Sequence, residues 1–369
     1  MIRVRSLYVH IPFCAGKCLY CSFPVSAGFI RKEEEYLAAL EREAGHRTLQ
    51  ECGPVYVGGG TPSLLSRQGV ERLGRLIADN FSVDKQAEFT FEANPESVDI
   101  ARALAWRAAG ANRVSLGVQS FDDSRLRWLG RGHTAAGAAE AFGILRQAGF
   151  KNINVDLIFG FPGQSVDELA RDVDRILALG SEHVSLYMLE IEPRSLFYAR
   201  ALKVDPDDQA EAYELVRARI ESAGARQYEV SNFSFPGFES RYNLNTWRAG
   251  EYWGLGMSAH SHIDGRRFWN ADTLPGYLSM MAASGSAETG SEQLSSQGKL
   301  MEAFLFGLRL NEGVDILLLE QRFGVRISDD RRAILGSFVR DGLLTDEDGR
   351  IKATSRGRMV LDEISARLV

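Results

Sequence analysis

Short apolar runs alternate with longer amphipathic stretches over roughly the first 230 residues of the chain. Six of the runs are rich in β-branched and aromatic residues and end at Gly, Pro or Asn, which is typical of β-strands. These predicted strands are SLYVHI (6–11), PVYVGGG (54–60), AEFTFEANP (87–95), NRVSLGVQSF (112–121), NINVDLIFGFP (153–162) and HVSLYMLEIEP (183–193).

Five helical patterns separate these strands, and several of them end at glycine, the usual residue at a helix C-terminus. Regular alternation of strand and helix predicts an α/β fold with a parallel sheet. Six units are fewer than the eight of a complete TIM barrel, so we expect an incomplete, open (β/α)6-type barrel. A further unit follows, a helix over 207–223 and a strand over 227–234. The five helices are predicted over 31–49, 66–81, 100–110, 134–149 and 165–180.

The pattern changes near residue 282. Residues 282–298 are small, polar and rich in Gly and Ser, which predicts a linker or an exposed loop. Three short helices, a strand, a turn at Asp348-Gly349, a second strand and a final helix are predicted beyond it. That order is winged-helix-like, and its mixed charge favours a structural or partner-docking role over DNA binding. We therefore predict a barrel with its extension over 1–281 and a C-terminal α+β domain over 299–369.

Composition and charge narrow the function classes. The chain is 45% hydrophobic and 25% charged, with a net charge of −6, which argues against nucleic acid as the main partner. No run of about 18 apolar residues predicts a membrane span, although peripheral membrane association stays open. The N-terminus lacks the apolar core of a signal peptide. We therefore expect a cytoplasmic protein, in a compartment that keeps thiols reduced.

Three of the four cysteines lie within eight positions, in CAGKCLYC: Cys14, Cys18 and Cys21. In a reducing compartment such a cluster indicates metal ligands, and thiolates select zinc or an iron–sulfur cluster. A structural zinc ion needs four ligands, and His10 is the nearest other candidate. A [4Fe–4S] cluster held by three cysteines leaves one iron open to a small ligand. Three thiols without metal are the structural alternative.

Further candidates stand at the ends of the predicted strands, where barrel active sites lie. The GGGT stretch places Gly59, Gly60 and Thr61 where a backbone can approach a ligand, although it also suits a tight turn. Polar side chains follow or end the next strands, and each alone could be an ordinary strand-end residue. They are Glu92, Gln119, Arg131 and Asp156.

Together these features resemble the radical SAM superfamily, in which C-x3-C-x2-C follows the first strand of a partial barrel and an aromatic residue, here Tyr20, precedes the third cysteine. The resemblance implies that Cys14, Cys18 and Cys21 bind a [4Fe–4S] cluster whose open iron binds S-adenosylmethionine (SAM). Reduction of the cluster then breaks the sulfonium bond and yields a 5′-deoxyadenosyl radical. The residues implied at SAM are Tyr8, Tyr20, Gly59, Gly60, Thr61, Glu92, Gln119, Arg131 and Asp156.

Within that superfamily the whole chain resembles the group of oxygen-independent coproporphyrinogen III dehydrogenases and HemW-type haem chaperones, through LYVHIPFC, GGGTPS, GVQSF and the C-terminal module. The dehydrogenases carry a further cysteine where this chain has Phe23, and an N-terminal extension before the first strand, which here begins within the first ten residues. Both features indicate the HemW type. The resemblance then implies haem, haem-acceptor proteins and an electron donor such as flavodoxin or ferredoxin as partners.

Two alternatives remain at this point: oxidative decarboxylation of coproporphyrinogen III, and a scaffold without radical chemistry. Whether SAM is turned over stays open. The intact cluster and SAM motifs weigh against the scaffold.

One segment departs from the HemW pattern. The H-N-x-x-Y-W stretch associated with haem binding corresponds to YNLNTW (242–247), in which Asn243 and Trp247 match but Tyr242 and Thr246 replace the His and Tyr. Tyr242 is therefore predicted either to bind haem iron through its phenolate, as in catalase, or to be a packing residue. His260 and His262 are spare haem candidates, whereas His133 and Cys52 are predicted to be structural.

Overall fold

The structure is a computed structural model, which describes residues 5–46 and 50–368. Six parallel strands lie side by side in chain order and confirm the predicted α/β barrel architecture. Each lies within the range that the apolar pattern predicted, because strand interiors are apolar and their ends are marked by Gly, Pro or Asn. These strands are β1 (Ser6–Ile11), β2 (Val55–Gly59), β3 (Phe89–Ala93), β4 (Arg113–Gln119), β5 (Ile153–Phe159) and β6 (His183–Met188).

The sheet extends beyond these six strands to twelve, in the order β7-β8-β6-β5-β4-β3-β2-β1-β9-β10-β11-β12. Strand β9 pairs parallel with β1, and the other additional strands pair antiparallel. Among the described strands β1 and β6 do not pair with each other, so the barrel is open. The additional strands are β7 (Arg226–Glu229), β8 (Asn232–Ser234), β9 (Tyr252–Leu255), β10 (His260–Ile263), β11 (Arg266–Asn270) and β12 (Glu288–Gln293).

The helices cover the sheet and form much of the C-terminal part. One helix, α4 (Asp123–Leu129), was not predicted from the sequence. It lies between strand β4 and the helix predicted over 134–149. Its N-cap is Asp122, whose side chain accepts hydrogen bonds from two amides, and it ends at Gly130 with φ 77°. The helices of the barrel region are α1 (Glu33–Gly45), α2 (Arg67–Asn80), α3 (Ile100–Ala108), α4 (Asp123–Leu129), α5 (Ala135–Gln147), α6 (Val166–Leu179), α7 (Leu196–Ala199), α8 (Pro206–Ser222), α9 (Arg241–Trp247) and α10 (Leu274–Ser284).

Two secondary-structure predictions were wrong. The single strand expected over 227–234 is the antiparallel pair β7 and β8, because the chain reverses at 230–231 and the Glu229 carboxylate accepts hydrogen bonds from Ser231 and Asn232 in that turn. The linker or loop expected over 282–298 contains β12, which pairs with β11 at the sheet edge. Four of its six residues are exposed, so its polar composition is that of an edge strand.

The C-terminal part has its own apolar cluster, which includes Leu300, Phe304, Phe338 and Ile364. A three-stranded sheet in the order β13-β15-β14 packs with its helices. The predicted turn is confirmed at Asp348 and Gly349, which both have positive φ. The elements are α11 (Ser296–Gly307), β13 (Val314–Asp315), α12 (Ile316–Phe323), α13 (Asp329–Arg340), β14 (Leu344–Glu347), β15 (Arg350–Ala353), α14 (Ser355–Met359) and α15 (Leu361–Leu368).

Backbone hydrogen bonds fix the C-terminal part against the β7–β8 turn. The Val230 amide donates to the Arg309 carbonyl at 3.1 Å, and the Asn311 amide donates to the Tyr228 carbonyl at 3.0 Å. The division into 1–281, 282–298 and 299–369 stays a prediction. None of the helices in the described part of the chain has the length and apolar character needed to cross a membrane.

Candidate functional site

A cavity of about 1000 Å³ opens at the carboxyl ends of the parallel strands and reaches the C-terminal part. That volume is at the upper end of the range for ligand sites, so more than one ligand fits. The predicted residues that line this cavity are Cys14, Cys18, Tyr20, Cys21, Gly59, Gly60, Thr61, Glu92, Gln119, Arg131 and Asp156.

The three cysteines lie on a loop that is closed at its base. The short strand Phe13–Cys14 pairs with Ser26–Ala27, and the Leu19 amide in the middle of the loop donates to the carbonyl of Leu129, at the end of α4. His10 holds the far side of the loop, because its Nε2 lies 3.1 Å from the Pro24 carbonyl and must donate to it. Burial lowers the pKa of His10 to about 4, so the ring is neutral at pH 7.

All three loop thiols are partly exposed, whereas Cys52 is buried elsewhere in the core. Burial raises the pKa of Cys14 to about 11 and also raises the pKa of Cys21, so these thiols keep their protons until a metal centre displaces them. Among the described residues no three His, Cys, Asp or Glu side chains converge on a single ion. Soft thiol ligands suit zinc or an iron–sulfur cluster.

The GGGT stretch is packed directly against the cysteine segment. The Gly60 amide donates to the Ile11 carbonyl at 2.8 Å and the Thr61 amide to the Phe13 carbonyl at 2.7 Å. A Cβ at Gly60 would lie 2.6 Å from the Phe13 oxygen, and Gly59 has φ 112° with the His10 ring where its Cβ would be. These amides are therefore not free for a ligand, which corrects one reason for assigning them to SAM. The glycines instead permit the close approach that positions Cys14.

Four hydrogen bonds connect two of the cysteines through three polar side chains. Thr61 Oγ1 donates to Cys14 Sγ at 3.5 Å, and Asn94 Nδ2 donates to Thr61 Oγ1 at 3.3 Å. Arg131 completes the chain, with Nη2 2.8 Å from Asn94 Oδ1 and Nη1 3.7 Å from Cys18 Sγ. Sequence analysis missed Asn94, although it lies two residues after Glu92 in the FEANPES motif.

Glu92 lies at the cavity wall with both carboxylate oxygens bound. Tyr56 donates to Oε1 at 2.6 Å and the Gly59 amide donates to Oε2 at 3.0 Å. Burial, together with the nearby Asp156 charge, raises the pKa of Glu92 to about 7. Glu92 therefore titrates near neutral pH while no ligand is bound, and a cationic ligand would favour its ionised form.

Asp156 lies two strands further along the sheet, in β5, and accepts a hydrogen bond from Asn154 Nδ2 at 2.7 Å. Burial raises its pKa as well. The fully buried Arg113, at the start of β4, lowers the pKa of both Asp156 and Glu92 and so partly offsets the burial. Sequence analysis missed Arg113, the one charged residue in the strand RVSLGVQ, all of which is buried. Arginine is rarely buried unless it has a partner.

Gln119 ends β4 in a strained conformation. Its φ is 69°, which is rare for a residue other than glycine, and a bulge separates it from Gly117 in the pairing with β5. Strain of this kind costs about 1–3 kcal/mol and is concentrated at functional sites. The bulge directs Gln119 to the cavity wall, where the side chain is nine-tenths buried.

Several predicted ligand residues lie outside the cavity lining. Tyr8 Oη donates to His10 Nδ1 at 3.0 Å, because the neutral His10 ring carries its proton on Nε2. The Tyr8 ring packs on Tyr56 and Tyr242, with centroids 6.2 and 6.3 Å away. Tyr242 packs more closely on Tyr56, at 4.9 Å. SAM contact by Tyr8 stays a prediction, and the geometry favours the packing interpretation of Tyr242.

His133, His260 and His262 likewise lie outside the cavity lining. His260 stacks on Trp269 with centroids 5.7 Å apart, and His262 packs edge-on against Tyr252. Both are held by ring packing outside the cavity lining, and their role as spare haem candidates stays a prediction. The buried His133 bonds through Nε2 to the Val118 carbonyl at 2.9 Å, which agrees with a structural role.

Helix α9 divides the YNLNTW segment between two environments. Asn243 and Trp247, one helical turn apart, line the cavity, whereas Tyr242 faces the tyrosine stack. Arg309 and Arg358 from the C-terminal part line the same end of the cavity. Sequence analysis missed both arginines, because only the folded chain brings them beside a segment 60 to 115 residues earlier.

Comparison with known proteins places this site in a family. The Radical SAM superfamily profile matches residues 8–176, and the HemN C-terminal domain profile matches residues 294–360. The chain is 33% identical to heme chaperone HemW of Bacillus subtilis, with 98% of each chain covered. It is 37% identical to heme chaperone HemW of Mycobacterium tuberculosis, with 98% of this chain and 94% of the relative covered. The chain belongs to the HemW family of radical SAM proteins.

The solved structures agree with that assignment of the fold. Coproporphyrinogen III oxidase (HemN) from Escherichia coli, a radical SAM enzyme, superposes with a TM-score of 0.88, covering 99% of this chain and 90% of the enzyme at 26% identity. The cofactors of a radical SAM protein are a [4Fe–4S] cluster and SAM. The three soft thiols at the cavity mouth fit the cluster, and the carboxylates of Glu92 and Asp156 fit the cationic groups of SAM.

Proposed function

We propose that this protein binds haem and delivers it to acceptor proteins, with a [4Fe–4S] cluster and SAM at the mouth of the barrel. The observation that carries the proposal is similarity over nearly the whole chain to HemW heme chaperones, at 33% identity in Bacillus subtilis and 37% in Mycobacterium tuberculosis. Identity to the HemN enzyme is lower, at 26%. Haem and haem-acceptor proteins are accordingly the proposed partners.

Cys14, Cys18 and Cys21 are proposed to hold the cluster, which when bound supplies one electron to SAM. Thr61, Asn94 and Arg131 fix the relative positions of the first two cysteines through their hydrogen bonds. Arg131 places its positive charge beside Cys18, with Nη1 3.7 Å from Sγ. Tyr20, Gln119 and the two glycines are proposed to shape the SAM site from the cavity wall.

Glu92 and Asp156 are proposed to bind the amino group and ribose hydroxyls of SAM. Their carboxylates lie on neighbouring walls of one cavity, and Tyr56, Asn154 and the Gly59 amide hold them in place. A carboxylate fixed by such bonds needs little reorganisation when a ligand binds. Electron delivery by flavodoxin or ferredoxin, and a cytoplasmic location, complete the proposal.

Coproporphyrinogen III dehydrogenation is the second candidate, because the HemN fold covers 99% of this chain. Phe23 weighs against it. This residue lines the cavity, its side chain is 64% exposed, and it occupies the position where the dehydrogenases carry a further cysteine. A phenyl ring offers neither a metal ligand nor a redox group at that place.

An activity assay on anaerobically reconstituted protein separates the two candidates. Coproporphyrinogen III, SAM and dithionite are supplied, and protoporphyrinogen IX and 5′-deoxyadenosine are measured by chromatography. The chaperone proposal predicts no protoporphyrinogen IX above a cluster-free control. Sustained formation over several turnovers would contradict it. Phe23→Cys is an informative companion variant, because it restores the cysteine without altering the three proposed cluster ligands.

A further inference from the structure

The cavity has a second end, remote from the cysteines, which is formed by Asn243 and Trp247 of α9 together with Arg309, Arg358 and Leu361 of the C-terminal part. We call these five residues the Trp247 lobe. It lies between the barrel and the C-terminal cluster, where ligand sites are frequent.

Arg309 presents unused hydrogen-bond donors in this lobe. Its guanidinium lies over the Trp247 ring, 4.6 Å from the centroid. Its Nε is buried without a hydrogen-bond partner, as is Trp247 Nε1, among the described residues. Protein atoms cover both of these donors, so a ligand in the cavity reaches Arg309 through its outer nitrogens, Nη1 and Nη2, which make no hydrogen bond to the described residues. These two nitrogens favour a ligand that supplies oxygen atoms.

Arg358 is fixed in the lobe by groups from its own part of the chain. Its Nη1 donates to Asn311 Oδ1 and to the Ala353 carbonyl, both at 3.2 Å. Asn311 in turn donates to the Gln227 carbonyl at 2.7 Å, which connects Arg358 to the barrel side. The Nε of Arg358 is buried and lacks a partner in the described part of the chain. Arg358 is therefore oriented in advance, with donor capacity left over.

Five acidic side chains also surround the Trp247 lobe, and how strongly each would repel a bound carboxylate depends on its exposure to solvent. Four carboxylates on the cavity rim are exposed, and water and salt screen charges of that kind. The fifth, Glu229, is fully buried and accepts hydrogen bonds from the Ser231 amide and Asn232 Nδ2, which direct its carboxylate to the β7–β8 turn. Arg309 and Arg358 are the positively charged side chains at this end of the cavity. The exposed rim carboxylates are Glu190, Glu192, Asp362 and Glu363.

We infer that the Trp247 lobe binds the carboxylate groups of the flat, apolar ligand that the protein carries, with Arg309 and Arg358 as anchors and Trp247 as a stacking surface. The guanidinium fork matches a carboxylate in two parallel hydrogen bonds, and an indole face suits a planar ring. This inference rests on the proposed function: with haem as the ligand, the carboxylates are its two propionates.

Comparing haem with haem dimethyl ester isolates the contribution of the carboxylates, because the ester has the same ring without their charge. Both are titrated by absorbance into reconstituted protein, wild type and with Arg309→Met or Arg358→Met. We expect the wild type to bind haem at least about tenfold more tightly than the ester, because a hydrogen bond to a charged group contributes about that factor. Each variant should lose most of this preference and bind the ester as the wild type does.

Arg356→Met is the matched control, since Arg356 is exposed on the same helix, α14, and lies outside the cavity lining. It should keep the full preference for haem. Arg309→Lys covers the case that Arg309→Met fails to fold: it keeps the charge but loses the fork, and should retain only part of the preference. Equal wild-type affinity for the two compounds, or an unchanged preference in both methionine variants, overturns the inference and leaves haem binding standing. Binding of neither compound overturns both proposals.

Discussion

At the scale of single residues, the cysteine loop carries the central chemical claim. Cys14→Ala, Cys18→Ala and Cys21→Ala should each abolish the cluster's absorbance, which for thiolate-bound clusters lies at about 400 nm, because each cysteine binds a different iron. Cys52→Ala is the control, since Cys52 is buried in the core away from the cavity. Iron and sulfide analysis after anaerobic reconstitution measures the result. Loss of the cluster in the Cys52 variant would contradict the ligand assignment.

Glu92 should make the stability of the cluster-free protein depend on pH. Its folded-state pKa of about 7 is raised above the ordinary value of 4.5, so its stabilising contribution is complete below pH 4.5 and is lost as the pH rises through 7. Relative to Glu92→Gln, the wild type should lose about 2 kcal/mol of unfolding free energy between pH 5 and pH 8. Urea unfolding of both proteins at the two pH values measures this. An identical pH dependence would rule out the raised pKa.

Tyr242 should be dispensable for haem. Its ring packs on Tyr56 and Tyr8, outside the cavity lining, so Tyr242→Phe keeps the aromatic stack and removes only the hydroxyl. We expect unaltered haem affinity and an unaltered absorption spectrum on titration. A shifted Soret band or a clearly weakened affinity would restore the phenolate as a ligand of haem iron.

The candidate residues that sequence analysis found are those in local motifs. Cys14, Cys18, Thr61 and Arg131 stand in short stretches whose residue types already indicate their chemistry, and all line one cavity. Asn94 shows what could not be predicted, because its importance comes from bonds to Thr61 and Arg131, 33 and 37 residues away. Such contacts depend on how β2, β3 and α4 pack, which residue types alone do not encode.

At the scale of elements, the contact between the GGGT stretch and the cysteine segment should be sensitive to added volume. Gly60→Ala places a methyl group 2.6 Å from the Phe13 carbonyl oxygen, so we expect a loss of about 1–3 kcal/mol and a displaced cysteine loop. Urea unfolding and iron content per chain after reconstitution measure both effects.

Gly143→Ala is the matched control for this substitution. Gly143 is exposed in α5, and a Cβ there meets nothing within 4 Å. Alanine in a helix interior is favoured over glycine by up to about 1 kcal/mol, so this variant should be at least as stable as the wild type, with normal iron content. Equal behaviour of the Gly60 and Gly143 variants would contradict the positioning role of the GGGT stretch.

Buried parallel strands were predictable because their apolar runs are strong and end at Gly, Pro or Asn. The exceptions have physical reasons. Strand β12 lies at the sheet edge with mostly exposed side chains, so its composition resembles a loop. The reversal between β7 and β8 depends on bonds to the buried Glu229 carboxylate, which a strand-like sequence pattern does not reveal.

At the scale of the whole molecule, one cavity joins the cysteine loop to the C-terminal part. Ligands at its two ends would therefore share one continuous cavity, with SAM beside the cluster and haem towards Trp247. Haem in this cavity would lie close to the cluster and SAM, which gives a physical reason for a haem chaperone to retain both cofactors. Backbone hydrogen bonds between Val230 and Arg309 and between Asn311 and Tyr228 hold the two walls together.

Haem titration of the anaerobically reconstituted protein tests this account most directly. Increments of haem are added, and the Soret and cluster absorbances are recorded against protein concentration. The account predicts saturable binding of about one haem per chain, because one cavity of about 1000 Å³ has room for a single tetrapyrrole beside SAM, with the cluster retained. Non-saturable uptake, or haem binding that displaces the cluster, would contradict it.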